Sequence, residues 1–230
     1  MKMKYIQNIF DLFYPKSCVC CSQKLLDQEQ IICIGCSIDL PLVDNNDFKS
    51  NALIQILEGR VVVESGASFL YYRSAGKVKQ LIHQLKYQNN QEIGTFLGNW
   101  FGIILSERNP FKLVDYIIPV PLHQKKQQKR GYNQLTNFGK SMSGILKIPF
   151  LTDVLIKVNA SNTQTGKKRL ERFTNIETKF SLHNANIIQN KHLLLIDDVI
   201  TTGATLEACS KELLKAGNVK ISIATIALTE

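Results

Sequence analysis

The sequence predicts an α/β protein with a mostly parallel sheet flanked by helices and a small N-terminal four-cysteine module. Three observations support this fold class. Apolar runs that suit buried strands alternate with helical patterns along most of the 230 residues, an order typical of parallel sheets covered on both faces. Two Cys-x-x-Cys pairs lie within the first 36 residues. With 44% apolar residues, the chain can also bury a core. We therefore expect a cysteine module at residues 1–50 and the α/β domain at residues 51–230.

The N-terminal stretch carries apolar residues at helical spacing, including Ile6, Ile9 and Phe13. Polar residues interrupt any signal-peptide core, so residues 1–14 are predicted to form an amphipathic helix that packs on the protein itself, with membrane anchoring as the alternative. No apolar run reaches the roughly 18 residues needed to span a bilayer. We expect a cytoplasmic protein without a membrane span.

Five of the six cysteines lie between positions 18 and 36. Cys18 with Cys21, and Cys33 with Cys36, can each present two thiolates to one tetrahedral ion, so the spacing predicts a structural zinc site. Disulfides in a secreted protein are the alternative, which the lack of a signal peptide disfavours. Cys20 is surplus, and it could replace Cys18 or Cys21 as a ligand.

The first half of the α/β domain is predicted to contain two strands, two helices and a third strand. Residues 60–72 alternate in hydrophobicity well enough for two strands. Residues 76–88 and 93–105 place apolar side chains on one helical face. Residues 115–122 suit a strand that its two prolines end near Val120.

The second half repeats the alternation of helices and strands. The predicted elements are a helix at 131–146, strands at 154–158, 180–183 and 192–196, a helix at 206–216 and a strand at 219–227. Gly217 suits the end of the second of these helices, and the last strand is expected to close the sheet. Residues 159–174 are polar, basic and without pattern, so we expect a mobile loop there.

Positive charge is concentrated in one stretch. Residues 123–172 hold eleven Lys and Arg against two acidic residues, and 11 − 2 gives +9, which equals the formal net charge of the whole chain. A solvated basic face is the simplest interpretation. The functional interpretation is a site for polyanions, either pyrophosphate or nucleic acid.

The most informative segment spans residues 193–205, where a buried strand is followed by two carboxylates, a loop of hydroxyls and a helix. Ligands of open α/β sheets bind at the carboxyl ends of strands, and a loop at a helix N-terminus offers N–H groups to a phosphate. A strand with an N-capping Asp and ordinary turn threonines is the alternative. The predicted sugar-phosphate site comprises Asp197, Asp198, Thr201, Thr202, Gly203, Ala204 and Thr205.

Two basic segments supply further anion-binding candidates. One follows the strand that ends near Val120, and the other lies at residues 163–172 and could close over a bound substrate. Pyrophosphate leaving a sugar needs positive charge where its negative charge develops; a nucleic-acid face or solvated loops are the alternatives. The predicted pyrophosphate residues are Lys125, Arg130 and Arg172, and the predicted single-stranded DNA contacts are Lys125, Lys126, Lys129, Lys167, Lys168 and Arg169.

Taken in order, these blocks resemble the ComF family, phosphoribosyltransferase-like proteins linked to bacterial competence. The resemblance covers the four-cysteine module, Leu85-Lys86-Tyr87, the Pro-Val-Pro-Leu-His and Arg-Gly-Tyr-Asn-Gln blocks, the loop from Gln164 to Arg172, and residues 197–205. It implies a type I phosphoribosyltransferase fold, a ligand like phosphoribosyl pyrophosphate (PRPP) with Mg²⁺, a zinc ion, and handling of incoming single-stranded DNA in the cytoplasm. The departures are Lys125, where an arginine is expected, and the extra Cys20.

Two functions remain open from the sequence. One is a DNA-uptake or recombination factor that binds PRPP, single-stranded DNA and competence or recombination proteins. The other is an active phosphoribosyltransferase with an unidentified acceptor. The sequence carries no Cys-His or Ser-His-Asp pattern, but transfer from PRPP needs mainly positioning, a metal ion on the pyrophosphate and charge stabilisation. The missing pattern therefore does not exclude an enzyme.

Overall fold

The computed structural model describes residues 16–87, 90–122, 131–158 and 179–230. The helices in these ranges are α1 (Ile34–Ile38), α2 (Ala52–Leu57), α3 (Lys77–Tyr87), α4 (Gln91–Arg108), α5 (Leu135–Leu146), α6 (Ala185–Ile188) and α7 (Ala204–Leu214). The strands are β1 (Gly66–Tyr72), β2 (Tyr116–Pro119), β3 (Leu155–Val158), β4 (Lys179–Leu182), β5 (His192–Ile200) and β6 (Lys220–Thr229). The predicted N-terminal helix and the predicted loop at 159–174 lie outside the described residues.

The main sheet has four parallel strands in the order β1-β6-β5-β2. Its two inner strands, β5 and β6, are buried along almost their whole length, which explains their near-continuous apolar sequences. The expectation that the last strand closes the sheet is wrong. β6 lies inside the sheet between β1 and β5, where both of its faces are covered.

Strands β3 and β4 form a separate antiparallel pair. The sequence predicted both strands, although it gave no sign that they pair with each other rather than join the main sheet. α7 packs against β4, so the pair is held beside the helix that follows β5.

Helices α4 and α5 pack together so closely that their contact requires a glycine. A Cβ atom on Gly98 of α4 would lie 2.4 Å from the carbonyl oxygen of Phe138 on α5. The rings of Phe69, Phe101 and Phe138 stack from β1 through α4 to α5, with centroids 5.0 and 6.4 Å apart. This packing fixes the start of α5, which follows the basic segment directly.

Two further expectations differ from the structure. Residues 60–65 are not a strand, because α2 precedes β1 and the chain between them runs without regular pairing. β5 continues to Ile200, so Asp197 and Asp198 lie within the last four residues of the strand and not beyond its end. Among the described helices, none is both long enough and apolar enough to cross a membrane.

Candidate functional site

The two adjacent carboxylates on β5 are buried and engaged by neighbouring groups. Asp197 is 8% exposed and Asp198 is 7% exposed. Oδ2 of Asp198 accepts a hydrogen bond from Nε2 of Gln134 at 2.8 Å and pairs with Nζ of Lys86 at 2.8 Å. The backbone N–H of Asp198 donates to Oδ1 of Asp197 at 2.8 Å. The pair is therefore held in a fixed orientation by groups from α3, the start of α5 and its own strand.

Burial and the neighbouring charge of Asp198 raise the pKa of Asp197 to about 8, although the Asp198 N–H and the charges of Lys86 and Lys157 oppose this shift. A carboxyl group with this pKa is largely protonated at neutral pH, so it can donate as well as accept a hydrogen bond. Asp198, paired with Lys86, supplies acceptors only. Together the two groups are suited to neighbouring hydroxyls of a sugar.

The loop after β5 exposes the start of α7. Thr201, Thr202 and Thr205 are exposed, as is Ala204, whereas Gly203 is buried at the N-cap position of α7. Unpaired N–H groups and the positive end of a helix dipole attract anions at such a position. The loop thus leads into an accessible helix N-terminus, with the hydroxyls of Thr201 and Thr202 before α7 and that of Thr205 in its first turn.

Gly203 lies close to helix α2 and has a left-handed backbone conformation. Its φ of +75° lies in the left-handed region, and a Cβ atom there would lie 2.8 Å from Cδ2 of Leu57 and 2.9 Å from Cγ2 of Ile56. A side chain at this position would therefore meet helix α2. Glycine is required so that the loop can pack against that helix.

Arg60, which follows α2, braces the same loop. Its Nη2 donates to the carbonyl oxygen of Thr202 at 2.6 Å, and its Nη1 pairs with Oε2 of Glu207 at 3.0 Å. Glu207 lies in the first turn of α7. Sequence reasoning missed Arg60 because it is 142 residues from Thr202 in the chain and carries no motif of its own.

Three consecutive residues before α5 tie the site together. The hydroxyl of Tyr132 donates to the carbonyl oxygen of Leu85 in α3 at 2.6 Å. The side chain of Asn133 donates to the carbonyl oxygen of Val120, just after β2, at 3.3 Å and accepts from the N–H of Leu135 at 3.0 Å. Gln134 holds Asp198, as described above. These residues position the elements around the acidic pair.

An open cleft of about 470 Å³ lies beside this junction. Its walls come from the residues after β2, the start of α5 and strand β3. Among its described lining residues, the cations are Lys140 on α5 and Lys157 on β3. The aliphatic or aromatic side chains of Pro121 and Tyr132 contribute apolar surface. Both lysines belong to the basic stretch 123–172, but neither was singled out from the sequence, because they stand outside its dense clusters.

All of the predicted basic contacts lie outside the described residues. They are Lys125, Lys126, Lys129, Arg130, Lys167, Lys168, Arg169 and Arg172. In the described part of the chain, the cations near the predicted site are therefore Lys86, Lys140, Lys157 and Arg60.

The four predicted zinc ligands lie together in the N-terminal module. The sulfur atoms of Cys18, Cys21, Cys33 and Cys36 all lie within 4.8 Å of one another, and this group could hold a metal ion. The N–H of Cys33 donates to Sγ of Cys18 at 3.3 Å, and the N–H of Cys36 donates to Sγ of Cys33 at 3.4 Å. Burial opposes ionisation of Cys18, but backbone N–H bonds from Cys33, Cys21 and Cys20 lower its pKa to about 6. The donor set and its N–H bonds suit a thiolate-bound ion.

Cys20 lies outside this group. Its thiol donates to the carbonyl oxygen of Lys77 in α3 at 3.9 Å, and burial raises its pKa to about 12. The alternative in which Cys20 replaces Cys18 or Cys21 is therefore not the arrangement in the structure. Cys20 instead packs the module against α3.

Comparison with known proteins connects this geometry to a family. Residues 136–229 match the family model described as the phosphoribosyl transferase domain. "Competence protein F" of Haemophilus influenzae is 35% identical over 147 residues, which cover 62% of this chain and 64% of that protein. "Competence protein ComFC" of Bacillus subtilis is 29% identical over 61% of this chain and 55% of that protein. These matches support the ComF family, which the sequence resembles.

A further relative is "DNA utilization protein YhgH" of Shigella flexneri, which is 30% identical over 65% of this chain and 66% of that protein. The matched region therefore covers between 55% and 66% of the length of these relatives. A solved adenine phosphoribosyltransferase from Leishmania tarentolae covers 82% of this chain and 94% of its own, at 14% identity and a TM-score of 0.40, too low to transfer anything about its site.

The fold predicted from the sequence is confirmed. The chain has a type I phosphoribosyltransferase fold, with a mostly parallel sheet flanked by helices. The acidic pair and the loop of hydroxyls lie at the carboxyl end of an inner strand of that sheet, next to the start of α7.

Proposed function

We propose that this ComF-like protein binds PRPP, or another phosphoribosyl compound, at the carboxyl end of β5. The observation that supports this most strongly is the oriented, buried acidic pair directly before an exposed helix N-terminus. A sugar phosphate needs both features, because its hydroxyls require fixed acceptors and its phosphate requires N–H groups. The phosphoribosyl transferase match over the same residues points in the same direction.

In this proposal, different residues bind the ribose, the 5-phosphate and the pyrophosphate of the ligand. Asp197 and Asp198 engage the ribose hydroxyls, and residues 201–205 with the start of α7 hold the 5-phosphate. The pyrophosphate extends toward the cleft with Lys140 and Lys157, where Lys125, Arg130 and Arg172 add charge in our proposal. Mg²⁺ bound with PRPP would neutralise part of the pyrophosphate charge.

The N-terminal module completes the proposal. Its four thiols are the donor set that structural zinc prefers, so we assign the ion as Zn²⁺. The module at residues 1–50 and the phosphoribosyltransferase-like domain at residues 51–230 form the two parts of the protein. The six cysteines form no disulfide with one another, which fits a cytoplasmic protein, since thiols stay reduced there.

Single-stranded DNA is the second proposed ligand. The relatives named for competence and DNA utilisation support a role in DNA uptake, natural transformation or recombination, alongside other competence or recombination proteins. The basic stretch at residues 123–172 holds more positive charge than one small anion requires. Proposed DNA contacts are Lys125, Lys126, Lys129, Lys167, Lys168 and Arg169.

An active phosphoribosyltransferase remains the second candidate. The fixed acidic pair and the cationic cleft favour it, because this reaction depends on positioning and on charge stabilisation at the leaving pyrophosphate. No described residue identifies the acceptor. A turnover screen with PRPP, Mg²⁺ and nucleobases separates the two functions. Pyrophosphate release that depends on one base supports the transferase. The absence of such release supports the binding protein.

Calorimetry with PRPP and Mg²⁺ tests the proposed site. We expect wild-type protein to bind, and Asp198→Asn to bind about 10- to 100-fold more weakly, because the loss of a charged hydrogen-bonding partner costs ~1.5–3 kcal/mol. Asp153→Asn serves as the matched control, since Asp153 is exposed and lies outside the proposed site. Equal affinity for wild-type protein and Asp198→Asn would refute the site assignment.

A further inference from the structure

The ion pair between Lys86 and Asp198 is the most tightly enclosed one among the described residues near the site. The side chains are 23% and 10% exposed, and the charged atoms lie 2.8 Å apart. Lys86 lies in the last turn of α3 and is not part of the basic stretch 123–172 in the sequence. The backbone next to Lys86 is also held in place, because Tyr132 donates to the carbonyl oxygen of the preceding residue, Leu85.

The two contacts of Asp198 leave part of its carboxylate for a ligand. Within the described part of the chain, Lys86 and Gln134 both bind Oδ2. An ionised carboxylate has about four lone-pair sites on its two oxygens. Oδ1 is therefore available to accept a hydrogen bond from a hydroxyl, while its partner oxygen is held in place.

The same ion pair changes what the acidic pair attracts. Without a counter-charge, the carboxylate of Asp198 beside the oxygen atoms of Asp197 would favour a divalent cation, which prefers oxygen ligands with negative charge. Lys86 supplies a positive charge at the position such an ion would otherwise neutralise. A sugar hydroxyl carries no charge and needs only an oriented acceptor, so it is not repelled by the lysine.

We propose that Lys86 is a positioning residue that makes the acidic pair selective for ribose: it orients Asp198 toward a ribose hydroxyl and keeps a free divalent cation out. This inference rests on the proposed phosphoribosyl site and names its selectivity. It predicts that ribose 5-phosphate binds better than 2-deoxyribose 5-phosphate, and that Mg²⁺ reaches the site only with a pyrophosphate.

The test compares wild-type protein with Lys86→Met, Lys86→Arg and the control Lys79→Met, since Lys79 is an exposed lysine on the same helix. Calorimetry measures the affinities for ribose 5-phosphate and 2-deoxyribose 5-phosphate. Electron paramagnetic resonance measures binding of Mn²⁺ alone. Thermal unfolding of each variant separates a loss of selectivity from a loss of fold.

We expect wild-type protein and Lys79→Met to prefer the ribose compound by about tenfold or more and to bind Mn²⁺ weakly. Lys86→Met should lose most of that preference and bind Mn²⁺ at least about tenfold more tightly, because a buried carboxylate is left without its cation. Lys86→Arg should restore the low Mn²⁺ affinity.

Two results would overturn the inference. One is a Lys86→Met protein that folds and keeps both the wild-type ribose preference and the wild-type Mn²⁺ affinity. The other is an equal loss in Lys79→Met, which would make the effect general to the helix. If instead the proposed function is wrong, neither wild-type protein nor any of the variants would bind either sugar phosphate. The Mn²⁺ measurement would still decide whether Lys86 excludes a cation.

Discussion

At the scale of single residues, the carboxyl group of Asp197 is held in a state that it would not have in water. Burial and the charge of Asp198 raise its pKa from 3.8 to about 8. The folded protein therefore binds this proton more tightly than the unfolded chain does. The resulting stabilisation is fully present below about pH 3.8 and is lost as the pH rises through about 8.

This linkage predicts a pH dependence of stability that the Asp197→Asn substitution removes. An amide stays neutral at every pH, so the variant should not share the contribution that wild-type protein loses as Asp197 ionises. We expect the melting temperature of wild-type protein to fall more steeply than that of Asp197→Asn between pH 5 and pH 9. Differential scanning calorimetry measures both curves, with Asp153→Asn as a control that keeps the wild-type slope. Parallel curves for wild type and Asp197→Asn would show that the carboxyl is ionised throughout.

Gly203 gives a second prediction at this scale. Alanine there must adopt a left-handed φ of +75° and place its Cβ against Leu57 and Ile56. We expect Gly203→Ala to lower the free energy of unfolding by about 1–3 kcal/mol, measured by urea denaturation. Gly144→Ala is the control, because Gly144 lies in α5 with open space around it and alanine favours a helix by about 0.5–1 kcal/mol. A neutral Gly203→Ala would mean that α2 and the loop move apart at little cost.

At the scale of elements, the sequence was sufficient to find most strands and helices but not to arrange them. Continuous apolar runs and helical periods are local signals, and they located β2, β5, β6 and α4. The order of parallel strands has no comparable local signal, because such strands are joined by long crossovers and not by tight turns. For this reason the interior position of β6 was not predicted. The antiparallel pairing of β3 with β4 was missed because 20 residues separate the two strands, so no tight turn marks them as partners.

The candidate site was also predicted only in part from the sequence. The acidic pair and the loop of hydroxyls are contiguous in sequence, so their pattern was visible. Lys86 and Gln134, the two partners of Asp198, lie 112 and 64 residues away from it, and only the fold brings them together. Arg60 was missed for the same reason.

The cysteine module provides the prediction at this scale. We expect one Zn²⁺ per chain on Cys18, Cys21, Cys33 and Cys36, measured by elemental analysis of protein purified without added metal. Cys33→Ser should lose the ion and unfold the module, since structural zinc supplies about 10–16 kcal/mol of folding free energy in isolated finger peptides. Cys20→Ser is the matched control and should keep the ion, because Cys20 lies outside the group. Less than half an equivalent of zinc in wild-type protein would contradict the assignment.

At the scale of the whole molecule, residues 123–172 carry a net charge of +9, which equals that of the whole chain. We expect single-stranded DNA to bind without strong sequence preference, with a salt slope of about −0.7 per phosphate neutralised. Fluorescence anisotropy with a labelled oligonucleotide at several salt concentrations measures both affinity and slope. The combined change of Lys167, Lys168 and Arg169 to Ala should weaken binding and reduce the slope by up to about 2.

The matched control for the DNA experiment removes three exposed lysines from other parts of the surface. Lys79, Lys112 and Lys220 are exposed and lie outside the basic stretch, so their change to Ala should alter binding far less. If the two triple variants bind alike, the charge acts only as a general attraction of the whole protein for polyanions. Competition by PRPP would place the DNA next to the pocket, and its absence would place the DNA elsewhere on the basic surface.

The central claim is that a phosphoribosyl compound binds where β5 ends and α7 begins, and a crystal structure of the protein with PRPP and Mg²⁺ tests it most directly. The account predicts ribose hydroxyls within hydrogen-bonding distance of Asp197 and Asp198, and the 5-phosphate against the N–H groups of residues 201–205. Ligand bound at another place on the protein, or no ligand in crystals grown at saturating PRPP with this loop accessible, would contradict it.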